Sequence, residues 1–150
     1  MKKKLYHYRM SGLEGIYLAD GFDIVDTHRG QGVVFHDVEG LHRAIGRHLM
    51  KSRKRLSGPE LRFLRKDLDQ TQAALARLLG VTSQQVARWE KGQSAMPAAA
   101  DAMLRLIYAE TIGEPMKPSV VLRVIDGAAK GPSKRAVFTA LRGWHAAGAA

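Results

Sequence analysis

Through the middle of the chain, apolar residues recur every three or four positions, which is the spacing of one buried helical face. The stripes are Leu61, Leu64 and Leu68; Leu75, Ala76 and Leu79; Val86 and Trp89; and Leu104, Ile107 and Tyr108. Pro59 and Pro97 stand where the first and the last of these helices begin, a position that accepts proline because its N–H has no helical partner. The pattern predicts a helical domain over residues 56–112, with central helices at Gln72–Leu79 and Ser83–Lys91.

Residues 1–55 instead show short runs in which apolar and polar side chains alternate, as in half-buried strands. The predicted strands are Gly15–Leu18, Phe22–Asp26 and Val33–His36, with turns at Ala19–Gly21 and His28–Gly32. Phe22 and Ile24 are expected on the buried face of the second strand. Asp37 is placed to cap a helix over Val38–Met50, whose apolar face is formed by Leu41, Ile45 and Leu49. This region is therefore expected to be a small β-meander closed by one helix.

The last region, residues 113–150, is expected to be a short extension. Gly113–Pro118 breaks regular structure, and Ser119–Ala129 is an apolar stretch that suits a helix or a strand. Residues 135–147 favour a β-hairpin on a two-residue turn at Arg142 and Gly143 over a frayed helix, because they include several strand-forming side chains. The chain as a whole is predicted to be an α+β protein with domains at 1–55, 56–112 and 113–150.

The two central helices are joined by a very short turn. Gly80 ends the first of them, since a residue without Cβ readily adopts the left-handed conformation of a C-cap. Val81 fills the corner, and Thr82 or Ser83 offers a hydroxyl to the first amides of the second helix. An ordinary αα-hairpin explains this spacing equally well. It does not explain why the exposed side of the second helix carries four side chains that hydrogen-bond to base edges: Ser83, Gln84, Gln85 and Arg88.

Residues 58–110 resemble the helix-turn-helix domain of the Cro-like, xenobiotic-response-element family, which includes the phage repressors. The resemblance rests on Thr71-Gln72 opening the first motif helix, Ala76 at the helix crossing, Gly80 at the turn, Val86 and Trp89 in the core, and the exit Trp-Glu-Lys-Gly at 89–92. It implies a lambda-repressor-like helical fold and a function in binding double-stranded DNA.

The resemblance also implies a role for each matching residue. Base edges are read by Ser83, Gln84, Gln85 and Arg88, and phosphates are held by Gln72, Lys91, Gln93 and Ser94. The alternative for Gln93, Ser94 and Lys91 is plain surface polarity. Arg65 and Glu90 are expected to form an ion pair that orients the recognition helix, which is further supported by Ala76, Gly80, Val86 and Trp89.

Charge and composition agree with a nucleic-acid partner. Lys and Arg number 24 against 14 Asp and Glu, a net charge of +10, although an excess of positive charge also serves solubility. The run Lys51–Arg55 is either a solvated linker or a basic arm that crosses phosphates. The chain has no cysteine, and no stretch approaches the length of a membrane span. These features favour a cytoplasmic protein.

Catalysis, metal binding and cofactors are not expected. The histidines lack the three- or four-residue spacing that places two ligands on one helical face, and no nucleophile, carboxylate pair or phosphate-binding glycine loop stands in a recognisable arrangement.

Two functions follow from the sequence. The first is a transcriptional regulator, expected to be a repressor, that binds an operator in double-stranded DNA as a homodimer. The second is an antitoxin that binds a toxin protein and represses its own operon, as in the MqsA type, in which a small N-terminal domain precedes a Cro-like one. Here the zinc-binding cysteines of that N-terminal domain are absent.

Overall fold

A computed structural model of the protein describes residues 4–126 and 135–147. The chain divides into two compact units, one of Met1–Ile45 with Lys134–Ala150 and one of Gly46–Ser133. The units are here called the sheet unit and the helical unit. The predicted boundaries at 55 and 112 are not those of this division: the first break falls after Ile45, and strands from residues 135–147 group with the N-terminal ones.

The elements of the described residues are strands β1 (Tyr6–His7), β2 (Ile16–Leu18), β3 (Phe22–Thr27) and β4 (Gly30–Phe35), helices α1 (Val38–Met50), α2 (Gly58–Asp67), α3 (Gln72–Leu79), α4 (Ser83–Glu90), α5 (Ala98–Thr111) and α6 (Pro118–Asp126), and strands β5 (Ala136–Thr139) and β6 (His145–Ala146). The predicted α+β class is confirmed.

The sheet unit contains a four-stranded sheet in the order β1-β2-β5-β6, in which β2 and β5 are parallel and the other pairs are antiparallel. Its inner face carries Tyr8, Leu18 and Phe138, each fully buried. Asp20 fixes the C-terminal strand, because its carboxylate accepts hydrogen bonds from the Thr139 hydroxyl at 2.6 Å and from the Ala140 N–H. These pairings over more than a hundred residues of sequence leave no local signal, so the sequence predicted an extension instead.

Strands β3 and β4 form a separate two-stranded hairpin, so the predicted three-stranded meander is wrong. The chain turns at His28 and Arg29, and the second strand begins at Gly30 rather than at Val33. Ile24, predicted to be buried, is 54% exposed. The reason is its position toward the hairpin tip, because the ring contacts with Tyr6 are made by Phe22 and Phe35 at the base.

The predicted C-terminal hairpin is present as the antiparallel pair β5 and β6. Its connection runs from Ala140 to Trp144, which is longer than the predicted two-residue turn. Trp144 is 7% exposed, and its indole Nε1–H donates to the carbonyl of His36 at 2.7 Å. Trp144 therefore lies within this connection as a buried, hydrogen-bonded side chain rather than on a strand.

Helix α1 has the predicted bounds, and the Gly40 N–H donates to the Asp37 carboxylate at 3.1 Å, which confirms the predicted cap. The division between the units falls within this helix.

In the helical unit, helices α2 to α5 follow the predicted order. The stretch after residue 118, for which the sequence suited a helix or a strand, forms helix α6. Val121 and Ile125 of α6 pack with Ala102 of α5. Phe63, which lies off the predicted stripe, is 6% exposed and belongs to the core. Leu68, Leu79 and Ile107, expected to be buried, are only partly so.

A buried charged cluster joins α5 to the segment that precedes α2. The Arg105 side chain is fully buried, donates to Asp101 at 2.6 Å and to the carbonyl of Lys54 at 2.6 Å, and also binds the carbonyl of Ser52. Asp101 accepts in turn from the Leu56 N–H at 2.9 Å. Three backbone groups without a helical partner are thereby satisfied, which fixes the chain as it enters α2.

Candidate nucleic-acid interface

The first helix of the predicted motif is held at both ends by its own sequence. At its start, the Thr71 hydroxyl accepts a hydrogen bond from the Ala74 N–H at 3.0 Å. At its end, Gly80 has φ 70°, and the Val81 N–H returns to the Ala76 carbonyl at 2.9 Å. The glycine is required here because a Cβ is disfavoured in the left-handed region. The chain therefore leaves α3 in the sharp turn that the sequence predicted.

The second helix begins with a capping box. The Thr82 hydroxyl accepts from the Gln85 N–H at 3.2 Å, and the Gln85 side-chain oxygen accepts from the Thr82 N–H at 3.0 Å. Two orphan donors are satisfied reciprocally, so the direction of α4 is defined at its first turn. The helix ends at Glu90, with Lys91 as its C-cap rather than its last residue.

The buried face of α4 anchors it to the helical unit. Val86 is fully buried and Trp89 is 6% exposed, as the three-residue spacing predicted. On α3, Leu75 and Ala76 are buried as well. A methyl side chain at Ala76 allows the close crossing of the two helices that the motif needs.

The opposite face of α4 is polar and open to solvent. Ser83, Gln84 and Arg88 are exposed, and none of their side chains has a hydrogen-bond partner among the residues that the structure describes. Gln85 is exposed too, but its side-chain oxygen is engaged in the cap, which leaves only its amide N–H donors free. Gln84 and Arg88 are therefore the side chains most available for bidentate hydrogen bonds to base edges.

The predicted Arg65–Glu90 ion pair is present and has the geometry of a fork. Arg65 donates through Nε to Glu90 Oε2 at 2.6 Å and through Nη2 to Oε1 at 2.9 Å. A third donor of Arg65 reaches the Gln70 carbonyl at 3.0 Å. The two side chains are 10% and 5% exposed. The pair thus joins α2 to the end of α4 and also holds the connection before α3.

Gln72 lies beside this pair. Its amide Nε2 donates to Glu90 Oε1 at 3.2 Å, so one of its donors is occupied within the protein rather than directed at phosphate. Lys91, Gln93 and Ser94 are exposed in the loop that leaves α4, and the Gln93 N–H is bound to the Arg88 carbonyl at 2.9 Å. The loop is consequently folded back on the helix, and its side chains are available to contact phosphates.

The basic run before α2 serves partly as structure. Lys54 forms an ion pair with Glu60 at 2.8 Å, and Arg55 forms one with the buried Asp101 at 3.2 Å. Of this run, Lys51 and Arg53 remain exposed. Only these two side chains of the run are therefore available to contact phosphates.

Exposed cations without a carboxylate partner among the described residues are spread over the helical unit. They are Lys51, Arg53, Arg62, Lys66, Arg77, Arg88, Lys91, Lys117 and Arg123. By contrast, the buried cations Arg65 and Arg105 are paired. The exposed set gives the unit a positive surface suited to a polyanion.

Gly58 is a structural residue of the site that the sequence did not single out. A Cβ at this position would approach the carbonyl oxygen of Trp89 to 2.6 Å and that of Glu90 more closely still. Only glycine lets the start of α2 contact the end of α4. A glycine just after a Ser N-cap was the available signal, since glycine is otherwise unfavourable in a helix.

We expect Gly58→Ala to lower the free energy of unfolding by roughly 1–3 kcal/mol, because backbone rather than a flexible side chain must move. Thermal or denaturant unfolding of the variant measures this. Ser57→Ala is the comparison variant, because it removes the adjacent helix cap without creating a steric conflict. A Gly58→Ala variant as stable as the wild type would show that the close approach is not required.

Within the described ranges, no three His, Asp or Glu side chains cluster as metal ligands would. Burial lowers the pKa of His48, with nearby Glu60 acting in the opposite direction. None of the helices in the described part of the chain is long and apolar enough to cross a bilayer.

A family model described as helix-turn-helix matches residues 61–105, which is under a third of the chain and includes α3, α4 and the ion-paired residues. Comparisons with curated proteins and with solved structures give no significant match.

Proposed function

We propose that the protein is a transcriptional repressor of the Cro-like, xenobiotic-response-element type, which binds a specific operator as a homodimer through residues 61–105, the part that matches a helix-turn-helix family model. A single recognition helix reads only a few base pairs, and a two-fold pair doubles the length of the site. The proposal assigns the chain a binding function rather than a catalytic one, and a cytoplasmic location where the chromosome is accessible.

The observation that carries the proposal is the contrast between the two faces of α4. One face is committed to the core through Val86 and Trp89, while the other presents Gln84 and Arg88 without protein partners in the described structure. Residues that serve only solubility do not need a helix fixed by a capping box, a glycine turn and a buried ion pair. Such fixing is needed when side chains must meet base edges within hydrogen-bond distance.

The loop after α4 supports the proposal through charge. If Lys91 lies against a phosphate, log affinity should fall with log salt by about 0.9 for each phosphate neutralised. We expect Lys91→Ala to weaken binding to operator and to scrambled duplex alike, and to reduce the slope by up to about one unit. Titrations at several salt concentrations measure the slope. Lys117→Ala, at an exposed cation before α6, is the matched control. An unchanged slope for Lys91→Ala would remove this side chain from the interface.

An antitoxin is the second candidate. The observation that favours it is that the chain carries a separate compact unit, with its own buried core, beside the helix-turn-helix domain. Contact of α4 with DNA does not itself use that unit. Co-expression with the product of the adjacent gene, followed by co-purification, separates the two candidates.

The direct test is footprinting of the purified protein on the DNA upstream of its own gene. The repressor proposal predicts a protected site with two-fold symmetry and half-sites about one helical turn apart. Uniform protection without a defined site, at all protein concentrations, would contradict a sequence-specific regulator.

A further inference from the structure

The β3–β4 hairpin is the one two-stranded sheet in the described residues, and its outer edges have no strand beside them there. A strand edge with free N–H and C=O groups is a template for pairing with another chain. The ladder itself shows which groups are free. The His36 N–H donates to the Gly21 carbonyl at 2.9 Å, so this pair is hydrogen-bonded.

In an antiparallel ladder, hydrogen-bonded and non-hydrogen-bonded pairs alternate. From the pair at Gly21 and His36, the register makes Asp23↔Val34 hydrogen-bonded and Phe22↔Phe35 and Ile24↔Val33 non-hydrogen-bonded. The backbone groups of the latter residues point away from the hairpin. On β4 the outward residues are therefore Gln31, Val33 and Phe35, and on β3 they are Phe22, Ile24 and Asp26.

The two edges differ in charge. Strand β3 carries the carboxylates Asp23 and Asp26, and charged side chains are a common device that blocks edge pairing. Strand β4, Gly30–Phe35, carries no charged side chain. Its Val34 is 50% exposed, and Ile24 of the same hairpin is 54% exposed. One edge is protected by charge, whereas the other is neutral, six residues long and flanked by exposed apolar side chains.

We propose that β4 pairs antiparallel with β4 of a second copy of the chain, which makes a continuous four-stranded sheet across a two-fold axis at Val33. In this register Val33 faces Val33 of the second copy, and Gln31 faces Phe35 on both sides. The three outward residues of each strand then form about six inter-chain hydrogen bonds. The pairing also covers part of the exposed Val34 side chain, and neither strand brings a charged side chain to the axis.

This pairing rests on the proposed function only because that function expects a homodimer; β4 is the surface through which the dimer would form. The first test is a charge at the axis. Val33 is partly exposed, so Val33→Lys is tolerated in the monomer but places two ammonium groups directly opposite each other in the dimer. We expect the dimer dissociation constant, measured by analytical ultracentrifugation of the full chain, to rise by about tenfold or more. Ile24→Lys, on the opposite edge, is the control and should leave the dimer intact.

The decisive arm is charge complementation. Val33→Asp alone should dissociate in the same way, but an equimolar mixture of the Val33→Lys and Val33→Asp chains should recover the dimer as a heterodimer, visible by native mass spectrometry. Circular dichroism of each variant shows whether the fold is retained. If one charged variant misfolds, Val33→Pro replaces it. Proline removes the outward N–H of residue 33, which is not hydrogen-bonded to β3, so it should weaken the dimer but not the hairpin. Ile24→Pro, on the other strand, is its control.

A wild-type chain that stays monomeric, dimers that survive all Val33 substitutions, or mixtures that do not recover the heterodimer would each overturn the pairing. These outcomes are distinct from failure of the proposed function, because operator protection by the wild type is measured separately. If the wild type protects an operator but substitutions at Val33 do not change its dimerisation, the proposed function stands and the β4 interface is wrong.

Discussion

Asp101→Ala should lower the free energy of unfolding of the helical unit by about 3–5 kcal/mol, the loss typical of breaking a buried ion pair. Asp101 is fully buried and accepts hydrogen bonds from Arg105, from Arg55 and from the Leu56 N–H. Removal of the carboxylate leaves the fully buried Arg105 guanidinium without its counter-ion. Urea unfolding followed by circular dichroism gives the value.

Glu110→Ala is the control for this experiment, because Glu110 lies on the same helix and is exposed. It should change the free energy of unfolding by no more than about 0.5 kcal/mol. If Asp101→Ala were as mild as Glu110→Ala, the cluster of Asp101 and Arg105 would not hold the chain entering α2, and the basis of that prediction would be lost.

Glu90→Ala should reduce both stability and operator binding, although Glu90 is not expected to touch DNA. Glu90 is the acceptor for Arg65 on α2 and for Gln72 on α3, and it stands at the end of the recognition helix. Its loss strands the 10% exposed Arg65 side chain, which we expect to cost about 3 kcal/mol of unfolding free energy. Operator affinity should fall because α4 loses its fixed direction.

Arg65→Lys is the informative partner variant. Lysine keeps the charge but cannot reproduce the two-atom fork, so an intermediate loss is expected. Gln72→Ala, which removes a neutral donor from the same carboxylate, should cost less than either. Full stability and full operator binding in both Glu90→Ala and Arg65→Lys would mean that the pair contributes almost nothing to stability or to the direction of α4.

The helical motif was predictable because its determinants are local. Thr71, Gly80 and Thr82 define helix ends through backbone conformation and capping, which act within four residues. Val86 and Trp89 were assigned to the core by spacing alone, and both are buried. Arg65 and Glu90 were paired through the family resemblance rather than from spacing, since 25 residues separate them.

The sheet unit was predicted less well because its determinants are distant in sequence. Strand β2 pairs with β5 across most of the chain, so neither strand signals its neighbour locally. The alternation that placed Ile24 in a core was real, but a two-stranded hairpin buries only the base of that face. Asp101 and Arg105 have the i,i+4 spacing of a helical ion pair. This helix was predicted from its apolar stripe alone, so the pair was not predicted.

Gln85 and Gln72 show the limit of assigning roles by residue type. Both were expected to contact DNA, and the structure gives each a hydrogen bond within the protein, to Thr82 and to Glu90. An amide has several donors and acceptors, so a bond to DNA is still available to each, but with fewer atoms. The sequence identifies a polar side chain on the exposed face, whereas the choice between cap and contact depends on the rotamer.

The central claim, that the exposed face of α4 reads sequence, is tested most directly by discrimination. Gln84→Ala and Arg88→Ala should each reduce affinity for the operator by roughly 1–3 kcal/mol while leaving affinity for a scrambled duplex nearly unchanged, because base contacts specify and phosphate contacts do not. Melting temperatures should stay at the wild-type value, since both residues are exposed. The measurement is a pair of titrations, operator against scrambled duplex, for the wild type and both variants. Full operator specificity in both variants would contradict the account.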